Sequence, residues 1–162
     1  MVDVSELGSV HTLDLSGTSV VDISKLGRVY TLYLSNTNVV DVTTLDRVHN
    51  LDLGYTNVSD VSTLRSVHTL SLRSTEVIDV LALGRVHILD LTDTKVVDVS
   101  GLGEVHTLNL TRTNVLDVSA LRGVYDWVWH ELHFYSKIPY EQMSNLFIVY
   151  LVCIQCLFVV YI

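Results

Sequence analysis

Two kinds of side chain that can bind metals or move protons recur along the chain at one fixed interval. Aspartates stand nineteen residues apart without a slip, at Asp3, Asp22, Asp41, Asp60, Asp79, Asp98 and Asp117. On the same interval runs a column of five histidines and two tyrosines, namely His11, Tyr30, His49, His68, His87, His106 and Tyr125. Carboxylates are ligands for calcium, and imidazoles for transition metals. Both columns are therefore candidates for a functional site.

The aspartate column is better explained by backbone hydrogen bonding than by calcium binding or catalysis. In the segment Asp22-Ile23-Ser24-Lys25-Leu26-Gly27, an aspartate precedes one short turn and a glycine. An aspartate at a helix N-cap accepts from backbone N–H groups two or three residues on. The glycines that suit a left-handed exit from this turn are Gly8, Gly27, Gly84 and Gly103. The cations expected to supply counter-charge are Arg28, Arg47 and Arg85.

The histidine column could share a metal, because four of its members fall on consecutive repeats. However, the column also admits tyrosine, and no cysteine or carboxylate recurs at a spacing that completes a tetrahedral site. No glycine-rich phosphate loop, Ser-His-Asp order or paired-carboxylate pattern stands out from the repeat. We therefore expect no metal, no cofactor and no enzymatic activity.

The elements that position these columns are tandem repeats of nineteen residues. Each repeat has the pattern V-x-x-L-x-L-x-x-T-x-V-x-D-[VI]-x-x-L-x-x. The six full repeats are residues 10–28, 29–47, 48–66, 67–85, 86–104 and 105–123, and a partial repeat at residues 1–9 precedes them. A period of this kind is typical of a solenoid, in which each unit buries its apolar face against its neighbours. The L-x-L pair alternates as a strand does, so both leucines are predicted to face inward in a parallel sheet.

The segment from Val29 to Val39 resembles the leucine-rich repeat pattern L-x-x-L-x-L-x-x-N-x-L, with Thr37 in place of the usual asparagine. Its continuation, Val39-Val40-Asp41-Val42, is similar to the internalin subtype, whose unit is three residues longer. The V-H-T-L-x-L spacing is also similar to short arrays in large DNA viruses. The resemblance covers about residues 1–129. It implies an α/β-type solenoid with a single parallel sheet on the concave face and short turns on the convex face. Threonines must then replace an asparagine ladder.

Function in such arrays usually lies on the open face of the sheet, where binding energy concentrates in aromatic and arginine side chains. Most exposed strand positions here are small and polar. We predict that Tyr33, Tyr55 and Arg73 come close together and form the centre of a protein-binding surface. The predicted surface as a whole comprises Tyr33, Asp52, Tyr55, Ser71, Arg73, Ile88, Asp90, Asn109 and Arg112. The alternative is a structural array without a specific ligand.

Composition restricts the partners and the compartment. The net charge of −8 and the scattered lysines and arginines do not favour nucleic-acid binding. Both cysteines, Cys153 and Cys156, lie outside the repeats, which suits a reducing compartment. No charged segment followed by an apolar one begins the chain, so we expect no secretory signal and an intracellular location.

The repeat pattern ends after a degenerate seventh unit at residues 124–129, in which Trp127 and Trp129 take the leucine positions. The predicted domains are therefore the array at residues 1–129 and a C-terminal segment at residues 130–162, with an apolar helix over about residues 139–162. The stretch Leu146–Ile162 has no charge and is close to the length that spans a bilayer. Three interpretations stay open, namely a membrane anchor, a helix that caps the array or pairs with another copy, and a non-native tail.

Overall fold

A computed structural model describes Val4 and residues 6–128. The backbone winds into a coil that adds one short strand to the same sheet every nineteen residues. The strands are β1 (Thr12–Asp14), β2 (Thr31–Tyr33), β3 (Asn50–Asp52), β4 (Thr69–Ser71), β5 (Ile88–Asp90), β6 (Thr107–Asn109) and β7 (Asp126–Val128). They lie in chain order, and every neighbouring pair is parallel. The prediction of a solenoid with a single parallel sheet is confirmed.

The register between strands follows the sequence period. Leu13 lies opposite Leu32, and at the far end Leu108 lies opposite Trp127. Hydrogen bonds between coils also continue beyond the strands, because the Leu34 N–H donates to the Asp52 carbonyl at 2.8 Å. The sheet is therefore held together by more of each repeat than the three residues of a strand.

The core lies between the sheet and the return segments, and the six apolar columns of the repeat fill it. In the middle coils these side chains are almost fully buried, as Leu70 and Leu89 illustrate with 1% exposure each. In the first coil Val10 and Leu13 are only partly buried, because fewer neighbours cover them. One coil cannot bury its own apolar face, so each depends on the coils beside it.

The threonines in the asparagine position make their hydrogen bonds inside single coils. Thr37, Thr56, Thr75 and Thr94 are buried, and each Oγ1 donates to the carbonyl of the leucine three residues earlier at 2.6–2.7 Å. A hydroxyl has one hydrogen to donate, and this bond uses it. The expected side-chain ladder is thus replaced by one bond within each coil.

The aspartates on the return segments accept backbone N–H groups two residues on, as predicted. Asp41 Oδ1, for example, accepts from the Thr43 N–H at 2.9 Å. The N-cap assignment is wrong, however, because Val42 is the N-cap of the 3₁₀ helix Thr43–Leu45. The other two 3₁₀ helices are Leu81–Leu83 and Leu121–Gly123. Each aspartate therefore closes a turn of the return segment, and it does not act as the N-cap of a 3₁₀ helix.

The predicted counter-charges are also wrong. Over residues 6–128 the one ion pair joins Lys95 to Glu76, on neighbouring coils. Arg28, Arg47 and Arg85 make no salt bridge to the aspartates in this part of the chain. The backbone N–H donors, and not arginines, stabilise the aspartate charge.

The glycines of the return turns are present because neighbouring coils approach closely. A Cβ on Gly27 would lie 2.1 Å from the Thr44 carbonyl oxygen, and one on Gly84 would lie 2.3 Å from that of Gly101. Gly84 has a right-handed φ of −58°. Of the described glycines only Gly17 has a positive φ. The prediction of a left-handed exit at these positions is therefore wrong.

Among residues 6–128 the structure contains no helix with the length and apolar character that a bilayer crossing requires. The predicted helix over residues 139–162, including Leu146–Ile162, lies outside the described residues. The array boundary at residue 129 and the intracellular location stay predictions.

Candidate interaction surface

The outward-facing strand residues and the residues that follow each strand form one surface, called here the sheet face. Tyr33, Asp52, Ser71, Ile88, Asp90 and Asn109 lie on strands β2 to β6, whereas Tyr55, Arg73 and Arg112 follow strands. The nine predicted site residues are half-buried or exposed, whereas Gly54, two residues after Asp52, is buried. Gly54 is buried, because the Arg73 carbonyl oxygen and the Asp52 carboxylate lie beside it.

Arg73 and Tyr55, two of the three side chains predicted to form the centre of the surface, are in contact. The Arg73 guanidinium carbon lies 5.0 Å from the centre of the Tyr55 ring. This distance is within the range of a cation–π interaction, which stabilises an exposed pair by roughly 0.5–1 kcal/mol. Both side chains are exposed, and Tyr55 keeps 52% of its surface open to solvent. The two side chains are therefore in contact and accessible at the same time.

Tyr33 lies on the sheet face without joining this pair. It sits at the end of β2, and its ring is 41% exposed. No aromatic or cation–π contact of Tyr33 is present within the described part of the chain. The prediction that all three side chains come together is confirmed for Tyr55 and Arg73 alone. Ile88, 39% exposed on β5, is a further isolated apolar side chain.

Tyr55 and Arg112 belong to a column of residues with left-handed backbone, which sequence reasoning missed. Its members are Gly17, Asn36, Tyr55, Ser74, Asp93 and Arg112, with φ between 54° and 70°. This conformation lets the backbone N–H turn toward the next coil, so that the Tyr55 N–H donates to the Arg73 carbonyl at 2.8 Å. Gly17 and Asn36 carried the signal, because glycine and asparagine tolerate positive φ.

Three predicted site residues have a structural role at the ends of their strands. Asp52 Oδ1 accepts the Gly54 N–H, Asp90 Oδ1 accepts the Thr92 N–H, and Asn109 Oδ1 accepts the Thr111 N–H, at 2.9–3.0 Å. The strand-exit column to which they belong is Asp14, Tyr33, Asp52, Ser71, Asp90 and Asn109. Tyr33 and Ser71 are the members that make no such bond in the described structure.

The aspartate at the start of this column shows the electrostatic effect of the bond. The Ser16 backbone N–H donates to Asp14 Oδ1 at 2.9 Å and holds the pKa of that carboxyl below its usual value. The charged form of the carboxylate is stabilised because the donor interacts more strongly with the anion. One oxygen of the carboxylate therefore already accepts a hydrogen bond before any partner binds.

The histidine and tyrosine column forms a continuous stack of rings beside the start of each strand. Neighbouring ring centres are 4.5–5.3 Å apart from His11 to Tyr125. The rings border the sheet face, because His49 Nδ1 lies 3.0 Å from Asn50 Oδ1 on β3. Loss of solvent around the ring, followed by the neighbouring His49 and His87, lowers the pKa of His68.

Contact between neighbouring rings accounts for the geometry of this column. The histidine rings on successive coils contact one another, with 14° between the planes of His49 and His68 and 30–35° in the next two pairs. A tetrahedral site instead needs ligands that converge on one point. Within residues 6–128, no three side chains of histidine, cysteine, aspartate or glutamate come together in a way that would hold a metal ion. Ring contact between coils is the interaction that the column provides.

Solved structures that resemble this chain include internalins. An internalin from Listeria monocytogenes (inlF) superposes with a TM-score of 0.62 at 24% identity, covering 76% of this chain and 41% of its own. The functional domain of InlJ from the same organism, which includes a cysteine ladder, gives a TM-score of 0.65 at 20% identity, with coverage of 79% and 31%. This chain thus spans less than half the length of either structure. No protein-family model matches the sequence, and no curated protein matches it. The fold is that of an internalin-like leucine-rich repeat.

Proposed function

We propose that this internalin-like leucine-rich repeat array binds another protein on its sheet face, with the Tyr55–Arg73 pair at the centre of contact. The observation that carries the proposal is the exposed cation–π pair on a surface where most other residues are small and polar. Tyrosine and arginine dominate the energetics of protein interfaces, because each buries a large area and can also donate hydrogen bonds.

The contact between Arg73 and Tyr55 in the free chain strengthens this proposal. Association costs free energy whenever flexible side chains must be immobilised. Arg73 already rests over Tyr55, and the Tyr55 backbone is fixed by its bond to the Arg73 carbonyl at 2.8 Å. Binding of a partner at Arg73 therefore costs less side-chain entropy than binding at an arginine that makes no such contact. Tyr33, two coils before Arg73, is proposed as a second anchor at the border of the contact area.

The alternative function is a structural array without a specific ligand. One observation favours it, namely that Asp52, Asp90 and Asn109 use a side-chain oxygen to close their own turns. On that account the sheet face is polar because strand exits need acceptors, and Tyr55 and Arg73 only pack on each other. The two functions differ in whether changing the pair affects an interaction with another molecule.

The test is an affinity enrichment with the immobilised chain and three variants, Tyr33→Ala, Tyr55→Gly and Arg73→Ala. Tyr55→Gly removes the ring and places at φ 57° a residue that adopts this angle without steric strain. Arg47→Ala, which removes an exposed arginine from the return turns, is the matched control. Proteins that the unmodified chain and Arg47→Ala retain should be lost from Tyr55→Gly and Arg73→Ala. Equal retention by all variants would favour the structural array.

We also propose that Leu146–Ile162 tethers the array to a membrane. Seventeen uncharged residues recover on the order of 25 cal/mol for each Å² of apolar surface that enters lipid. The full chain should then sediment with membranes and resist extraction by high salt, and a chain ending at Ser136 should stay soluble with strand-rich circular dichroism. A soluble full chain would support the capping helix instead.

A further inference from the structure

Outside the sheet face, the return side of the coil carries a line of exposed aliphatic side chains. Val21, Val40, Ile78, Val97 and Leu116 occupy one column of the repeat and are 53–62% exposed. These five residues are called here the aliphatic strip. The polar Ser59 takes the one other position of the column between residues 21 and 116, and Leu81, 46% exposed, lies near Ile78 in sequence. Such a line of apolar surface is a candidate interaction site.

A border of negative charge runs along this strip. Each strip position is followed directly by an aspartate of the return side, and those aspartates are exposed. Their Oδ1 atoms accept backbone N–H groups, as Asp98 does from Ser100 at 2.9 Å. No hydrogen bond to their Oδ2 atoms is present among the described residues. A row of carboxylates with one free oxygen each therefore borders the apolar line.

The size of the strip fits a single segment better than a second copy of the chain. Five side chains that are each a little over half exposed present roughly 300 Å² of apolar surface, if full burial of one aliphatic side chain is equivalent to about 60–120 Å². A stable dimer buries about 800 Å² on each partner. The strip is one side chain wide, so a linear partner can cover it.

The spacing along the strip matches a helix more closely than an extended peptide. Coils repeat at the 4.5–5.3 Å that separates the stacked rings. Side chains on one face of a helix recur at about 5.4 Å per turn, whereas those on one face of a strand recur at about 6.6–6.8 Å. An apolar helix face can therefore follow the strip over several coils before it loses register.

We propose that the aliphatic strip and the aspartates beside it are a docking site for an amphipathic helix of another protein, apolar on one face and basic along one border. Apolar contact supplies the affinity in this arrangement, and the paired charges fix the direction in which the helix lies. The segment Leu146–Ile162 of this chain has no charged residue, so it lacks the basic border that this site selects.

The experiment uses the full chain and a labelled eighteen-residue helical peptide with leucine at heptad positions a and d and lysine along one border, with binding followed by fluorescence anisotropy. In a second peptide glutamate replaces every lysine. The main variant is Ile78→Ser with Val97→Ser, because Ser59 shows that this column accepts serine. Asp79→Asn with Asp98→Asn removes two charges and keeps the acceptor oxygens. Tyr33→Ala is the control on the sheet face.

We expect the lysine peptide to bind the unmodified chain and Tyr33→Ala equally well. It should bind the double serine variant at least tenfold more weakly. The asparagine variant should bind severalfold more weakly and with less dependence on salt. Equal binding of the lysine and glutamate peptides, or unchanged binding to the serine variant, would overturn the proposal. Sedimentation that shows a dimer of the unmodified chain and a monomer of the serine variant would overturn it as well, in favour of a second copy.

Discussion

The sheet face and the return side both carry a column of residues whose side chain accepts a backbone N–H two positions on. On the return side every position from Asp22 to Asp117 is aspartate, and every one makes the bond at 2.8–3.0 Å. On the sheet face Asp14, Asp52, Asp90 and Asn109 make it. Tyr33 and Ser71 do not, although the coil continues past both without a break in register.

This difference separates what the fold requires from what it tolerates. The return turn closes in only a few residues between two packed coils, so each needs its acceptor. The strand exit is held in addition by backbone bonds to the next coil, such as the Leu34 N–H to the Asp52 carbonyl. It can therefore lose the side-chain acceptor and carry a larger residue instead. Residue positions at which the sheet face departs from the repeat pattern are therefore available for binding a partner.

The largest expected effect comes from the interior that both sides share. Leu70→Ala should lower the free energy of unfolding by about 2–5 kcal/mol, because a buried leucine leaves a cavity when it is truncated. Leu70 is 1% exposed and central in β4. Thr69→Ala, at the neighbouring outward position, should change it by about 0.5 kcal/mol or less. Equal losses in a denaturant titration would mean that the strand register is wrong.

A smaller effect should distinguish the packing of the two sides. Gly84→Ala on the return side should cost about 1–3 kcal/mol, because the new Cβ would lie 2.3 Å from a backbone carbonyl that cannot move alone. Gly54→Ala on the sheet face meets the Asp52 carboxylate at 3.2 Å, and a side chain can adjust. Urea midpoints of the two variants measure the difference. A larger loss for Gly54→Ala would contradict the tighter packing of the return side.

The aspartate columns give a prediction that depends on pH. The Ser62 backbone N–H holds the pKa of Asp60 below its usual 3.8. The resulting stability is present above the unfolded-state pKa and is lost as pH falls through the folded value. Asp60→Ala should therefore lower the melting temperature at neutral pH, and the gap to the unmodified chain should shrink at strongly acidic pH. Tyr33→Ala removes no acceptor bond, so its melting temperature should show no such pH-dependent difference from that of the unmodified chain.

The smallest expected effect concerns the stacked rings. The pKa of His68 lies below its usual 6.5 because of lost solvation and its neighbours His49 and His87. Stability is then complete above the unfolded-state pKa and declines as pH falls through the histidine range. The melting temperature should drop from pH 7 to about 5.5, and less so in His68→Tyr, which keeps a ring in the stack. A melting temperature that rises over this interval would contradict the prediction.

The repeat period was sufficient to predict the sheet, its register and the core, because the apolar columns admit no exceptions. A tyrosine alone gives no sign of positive φ, so the backbone angle at Tyr55 could be inferred only from Gly17 and Asn36 in the same column. The role of Gly84 was misread for a similar reason, because close approach of the next coil is a tertiary effect. The aliphatic strip was missed because Ser59 interrupts its column, so the position was counted as variable.

The central claim is that a partner binds where Arg73 rests over Tyr55. Its most direct test is the dissociation constant of the strongest enriched protein, measured with the unmodified chain, Arg73→Ala and the matched control Arg47→Ala. We expect Arg73→Ala to weaken binding at least tenfold, equivalent to about 1.4 kcal/mol, with Arg47→Ala unchanged. A dissociation constant that is the same for all three chains, or one that Arg47→Ala weakens as much as Arg73→Ala does, would contradict the account.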